Sequence, residues 1–133
     1  MPLVESCWIE IDPRNNKADI IVGCLYRHPS ANIEDFTSKL DVLLKNLNQK
    51  KYEVSILGDM NIDFLKCNSL SLTEDYLEML YTNNMLPEIT KPTRITSHTA
   101  TLIDHICTNS FNQQTVPGIA TVDISDHFTG VLQ

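Results

Sequence analysis

The order of strand-like and helix-like segments predicts an α/β domain with a mixed, mainly antiparallel sheet and two helices. Three observations carry this. Apolar runs of strand length recur along the chain, notably at 18–26, 52–57 and 101–107. Two stretches of helical periodicity fall between them, at 33–50 and from 71 to about 83. The strand pairs are split by single helices rather than alternating strictly with them, which favours a sheet with antiparallel neighbours.

Residues 3–11 form the first strand, and Asp12-Pro13-Arg14-Asn15-Asn16 is turn chemistry. Ala18 to Tyr26 is a nearly continuous apolar run, expected as a buried central strand in an antiparallel hairpin with the first. Asn32 is suited to cap a helix, with Glu34 and Asp35 favourable to its dipole, and Ile33, Phe36, Leu40, Leu43, Leu44 and Leu47 mark its apolar face. Tyr52 to Leu57 is the third strand, with Asp59 and Asn61 at its C-terminal end. Ser71-Leu72-Thr73-Glu74 reads as a capping box opening a second helix, which stops near Asn83-Asn84. Thr101 to Cys107 is a fourth strand, and Ile119 to Ile124 a fifth that ends at Ser125-Asp126-His127.

The 133 residues are one domain's worth, and no linker or repeat divides them. A net charge of -7 argues against a freestanding nucleic-acid binder with a basic stripe. It leaves room for an enzyme whose carboxylates gather around a cation. Cys7, Cys24, Cys67 and Cys107 are too widely spaced for a zinc site or a disulfide framework. Cys24 and Cys107 lie in apolar runs and are expected as buried thiols, which points to a reducing, intracellular setting. No apolar stretch approaches a membrane span, and no signal-peptide core follows Met1, so a soluble protein without a membrane partner is expected.

Two clusters suggest phosphate-ester hydrolysis by metal-bound water. In Gly58-Asp59-Met60-Asn61, a carboxylate and an amide two residues apart share one side if the segment is extended. Ser125-Asp126-His127 sets an imidazole beside a carboxylate, a way to tune proton transfer near neutral pH. Asp104, inside an apolar strand, is costly there unless bonded; it either orients His127 or faces solvent on an alternating strand. His105 then points to the opposite face, structural or exposed, and His28 and His98 carry no assigned role. Tyr26 and Arg27 at a strand end, and Thr93-Arg94 in a loop, offer phosphate contacts, although a strand-end tyrosine is as often packing.

Taken together, Leu25-Tyr26-Arg27-His28-Pro29, Ile56 to Asp63, Lys91 to Thr96, Leu102 to Ile106 and Ile124 to Phe128 form an ordered series. That series resembles the C-terminal half of the endonuclease/exonuclease/phosphatase superfamily, most like the apurinic-type endonuclease domain of LINE-type non-LTR retrotransposons. The resemblance runs from about Val4 to the C-terminus. It implies half of a DNase I-like four-layer α/β sandwich. It also implies catalytic roles for Asp59 and Asn61 on the attacking water and phosphate, and for His127 on the pentavalent centre, oriented by Asp104. Asp126 would sit near Mg2+ or Mn2+, while Tyr26, Arg27, Thr93 and Ser125 would meet phosphate or the DNA backbone. The implied partners are DNA and a reverse transcriptase domain in a longer chain, and the implied setting is nuclear.

The same resemblance carries a departure. The early Asn and the metal-binding Glu of the family's N-terminal half are absent from this sequence, and Glu5 and Glu10 lie in the wrong context to replace them. Activity of these residues alone is therefore expected to be weak or lost, and the inner sheet face to lack its cover. Self-association through that face is the alternative function, and a phosphoesterase acting on a small molecule or lipid is a third.

Overall fold

The computed structural model of the chain describes residues 3–14, 18–110, 117–120 and 129–132, the last two stretches for their strand pairing alone. The elements are β1 (Val4–Ile11), β2 (Ile20–Arg27), α1 (Ile33–Gln49), β3 (Glu53–Asp59), α2 (Ser71–Thr82), β4 (Leu86–Pro87), β5 (Arg94–Ile95), β6 (Ala100–Thr101), β7 (Asp104–Thr108), β8 (Pro117–Ala120) and β9 (Thr129–Leu132). A single 3-10 turn, Phe64–Lys66, precedes α2.

The main sheet has five strands in the order β1-β2-β3-β7-β4. Its β1–β2, β3–β7 and β7–β4 pairs are antiparallel, and β2–β3 is parallel. The parallel pair follows from α1, which returns the chain over one face before β3 begins. Two small hairpins, β5–β6 and β8–β9, complete the pairing. Of the expected fifth strand, only its start coincides with β8; residues 121–128 lie outside the described ones.

Side chains alternate across a strand, so the sheet has two unlike faces. One face, with Ile21 and Leu25 of β2 and Val54 and Ile56 of β3, packs on Phe36, Leu40 and Leu44 of α1 and Tyr76, Met79 and Leu80 of α2. On the other face β1 leaves Ile9 57% and Ile11 46% exposed, and Tyr26 is 38% exposed. The segment from 18 to 26 is thus buried on one side only, which corrects the expectation of a fully buried central strand. That second face is open at β1 and β2, whereas on β7 Ile106 is 4% and Thr108 3% exposed.

The caps divide. Asn32 closes α1 as its sequence suggests, accepting a hydrogen bond from the Asp35 amide at 2.8 Å. The capping box at α2 does not form: Leu70 is the cap residue and makes no side-chain bond, because Ser71 already lies inside the helix. The C-terminal end of α2 is tied to the middle and the end of α1. Asn83 Nδ2 donates to Asp41 Oδ1 at 2.7 Å and Asn48 Nδ2 donates to the Asn83 carbonyl at 2.9 Å.

Candidate functional site

Three strands deliver the polar end of the open face. In the register, Tyr26 of β2 pairs with Asp59 of β3, and Asp59 pairs with Asp104 of β7. Residues paired in this way project to the same side of a sheet. A phenol and two carboxylates therefore form one row across three adjacent strands. Two directly opposed carboxylates raise the local negative field, a setting favourable to a cation.

The loop after β3 is fixed from both sides. Asn61 does not continue the strand, and its φ of 49° turns the chain. Its closeness to Asp59 comes from an Asx turn, in which the Asn61 amide donates to Asp59 Oδ1 at 3.0 Å. Side-chain alternation in an extended segment is thus the wrong reason for their proximity. Asn61 Nδ2 donates to the Arg27 carbonyl at 2.6 Å, which anchors the turn to the end of β2. On the far side, the amides of Met60 and Phe64 donate to the carbonyls of Ile103 and Leu102. Asp63 Oδ1 accepts from the Leu102 amide at 2.9 Å and caps the 3-10 turn through Leu65.

Gly58 is required by this packing. Its φ is 145°, and a Cβ placed there would lie 1.8 Å from the Leu25 carbonyl oxygen on the paired strand. The residue before Asp59 can only be glycine if β2 and β3 are to stay this close.

Arg27 is corrected. It was expected on a phosphate, but it is 2% exposed and points into the interior. Its guanidinium donates to the carbonyls of Met60 and Asn61 at 2.7 Å each, and to those of Ala31 and His28. Burial pulls its pKa below the ordinary value, while nearby Tyr76 and Asp59 push it back up. A buried cation saturated by backbone carbonyls is a brace for two loops, not an anion receptor. Its signal was present in the sequence: Arg27 shares its parity with Ile21 and Leu25, the inward face of β2.

Thr93 is corrected in the same sense. It is 0% exposed, and its Oγ1 accepts from the Asp104 amide at 3.1 Å. It sets the position of Asp104 from behind rather than meeting a ligand. His105, next along β7, is buried on the helix side as its parity requires. Its ring stacks on Phe64 at 3.7 Å, and Nε2 lies 3.0 Å from the Leu102 carbonyl. Desolvation lowers its pKa to about 4, so the imidazole is neutral and structural.

Of the sequence-predicted residues, the structure gathers Tyr26, Asp59, Asn61 and Asp104 at one end of the sheet and turns Arg27 and Thr93 inward. Ser125, Asp126 and His127 lie outside the described residues. Among the described residues, no group of three or more His, Cys, Asp or Glu side chains is placed to hold a metal ion. Asp59 and Asp104 are hard oxygen donors of the right kind for Mg2+, yet they make only part of a coordination set.

No protein-family model matches the chain, and no curated protein matches it in sequence. Solved structures do match. The endonuclease domain of TRAS1, a telomere-specific non-LTR retrotransposon, superposes with a TM-score of 0.77 at 15% identity, over 96% of this chain and 62% of that one. An endonuclease/exonuclease/phosphatase family protein from Leptotrichia buccalis gives 0.64 at 16% identity, over 96% and 52%. The Xenopus laevis APE2 catalytic domain gives 0.59 at 17%, over 96% and 55%. The chain thus spans between about half and two thirds of the length of these domains. At such identities the likeness is one of fold: this chain has the DNase I-like α/β fold of the endonuclease/exonuclease/phosphatase structures.

Proposed function

We propose that residues 1–133 are part of a phosphodiesterase domain of the retroelement endonuclease type, which hydrolyses DNA with Mg2+ or Mn2+ and is weak or inactive alone. The observation that carries this reading is the row of Tyr26, Asp59 and Asp104 on adjacent strand ends, with Asn61 locked beside it. The fold shared with the TRAS1 endonuclease domain supports it.

In this reading Asp59 takes the proton of the attacking water, held in place by the Asn61 amide. Asn61 steadies the water or the phosphate. Asp104, positioned by Thr93, orients the imidazole of His127, which stabilises the charge that builds on the phosphoryl group. Asp126 supplies a further oxygen near the cation, Ser125 a phosphate contact, and Tyr26 a hydroxyl toward the nucleic-acid backbone. A bound divalent cation supplies polarisation of the phosphoryl oxygen and stabilisation of the leaving oxyanion. Among the described residues the donors fit such an ion in kind and fall short in number, so in this reading the main acidic ligand lies outside them. A DNA substrate would place the work in the nucleus, beside a reverse transcriptase domain in the longer chain.

Adding an upstream segment that carries the acidic ligand should restore Mg2+-dependent nicking of DNA. An extended chain that folds equally well and stays inert would overturn the reading.

A second reading is favoured by one observation, the exposed apolar strip of Ile9 and Ile11 on the face of β1 away from the helices. In that reading the chain is a noncatalytic module that self-associates through its sheet. Concentration-dependent assembly without hydrolysis supports it, and a stable monomer at high concentration counts against it.

A further inference from the structure

Cys24 was expected inside the core, and the structure turns it out. Cys7 and Cys24 are both free and both exposed, and they are direct partners in the β1–β2 register. Cys24 and Tyr26 share a parity, so the two thiols stand on the open face, one row in from Tyr26, Asp59 and Asp104. The two other cysteines differ in setting. Cys107 is buried, with its pKa pushed up to about 12 by desolvation, and Cys67 lies half-buried near the 3-10 turn.

Geometry makes the first pair special. Directly opposed residues of antiparallel strands have Cα atoms about 4.5 or 5.5 Å apart, according to their hydrogen-bonding position. Both values fall within the range of about 4.4–6.8 Å that disulfides span. The His28 amide donates to the Leu3 carbonyl, which in this register makes Cys7 and Cys24 a hydrogen-bonded pair; their Cβ atoms, about 5.5 Å apart in such pairs, must approach by about 1 Å to enter the range of about 3.5–4.5 Å that a disulfide needs. Sequence spacing conceals this, because 17 positions separate the two cysteines and only the hairpin brings them together.

We propose that Cys7 and Cys24 form a dithiol modification site, which a small-molecule disulfide of the glutathione class oxidises to a cross-strand disulfide. In the first step one protein thiolate attacks a sulfur of the oxidant, giving a mixed disulfide and releasing one small thiolate. The second protein thiolate then attacks the protein sulfur of that mixed disulfide. The Sγ–Sγ bond forms and the second small thiolate leaves. The protein loses two electrons and two protons; the oxidant gains both pairs and ends as two small thiols. The product staples β1 to β2 beside the polar row. This site stands independently of the phosphodiesterase reading.

The test is oxidation of the folded 133-residue chain with oxidised glutathione, followed by alkylation of the remaining thiols and mass mapping of peptides. The expected product is one intramolecular link between Cys7 and Cys24, with no retained glutathione. Cys7→Ser and Cys24→Ser, both at exposed positions, should each instead hold one glutathione on the remaining cysteine of the pair. As a second measurement, one equivalent of a trivalent phenylarsenical, which bridges two thiols, should protect both cysteines from alkylation at once. The proposal is overturned if the unsubstituted chain holds two separate glutathiones. A link to Cys67 or to a second chain, or protection of only one thiol by the arsenical, would overturn it equally.

Discussion

Arg27 shows how a single residue changes meaning once its neighbours are known. Beside a tyrosine at a strand end it resembles a phosphate ligand, yet its parity along β2 sends it inward, where four carbonyls receive it. Arg27→Ala should leave those carbonyls without partners in a dry site, costing about 3 kcal/mol or more, read as a shift in the urea midpoint. If Arg27 were instead a surface phosphate contact, stability would hold and only binding would fall. His105 makes a second residue-level prediction. Its pKa is about 4 in the folded chain because burial disfavours the charged ring, against about 6.5 when unfolded. The unfolded chain therefore binds the extra proton first as pH falls. The contribution to stability is full above about pH 6.5 and is lost progressively down to about pH 4, amounting to about 3 kcal/mol. His105→Phe, which keeps the ring stacked on Phe64, should flatten this part of the profile in urea titrations from pH 7 to 4. An unchanged slope would contradict the assignment.

At the scale of elements, the helices and the longer strands were legible because periodicity and cap chemistry are local, while the two-residue strands β4, β5 and β6 went unread. Asn32 and the α1 apolar stripe needed no partner to be read. The antiparallel β1–β2 hairpin was read correctly from its short link, but the pairing beyond it was not legible. Nothing local says that β3 has β2 on one side and β7 on the other, and that register alone sets Asp104 opposite Asp59. The same blindness misplaced Cys24 and Thr93, whose exposure depends on what crosses over them. The capping box failed for a related reason: the motif was present, but the helix had already begun at Ser71. Gly58 tests the β2–β3 contact directly. Gly58→Ala introduces a clash with the Leu25 carbonyl at a φ that alanine resists, so a loss of about 3 kcal/mol or more is expected. Thermal denaturation checks it, and a variant of unchanged stability would show that the strands can part without cost.

Over the whole molecule, the decisive feature is a five-stranded sheet with helices on one face and an apolar, partly exposed surface on the other. Among the described residues, no helix is long and apolar enough to cross a membrane. The fold class was legible from the order of elements and the ordered motifs. Where Ser125, Asp126 and His127 sit relative to Asp104 was not, since they fall outside the described residues. If the open face drives self-association, Ile9→Lys with Ile11→Lys should weaken it about tenfold or more, the scale of ~1.4 kcal/mol, as read by sedimentation over a range of concentrations. No change would place any assembly elsewhere. An incomplete hydrolytic site in these residues can be checked by incubating the folded chain with supercoiled plasmid and Mg2+, beside an Asp59→Ala, His127→Ala variant. No nicking above that of the variant is expected. Mg2+-dependent nicking that the double substitution abolishes would contradict it, because a complete site would then assemble from these 133 residues alone.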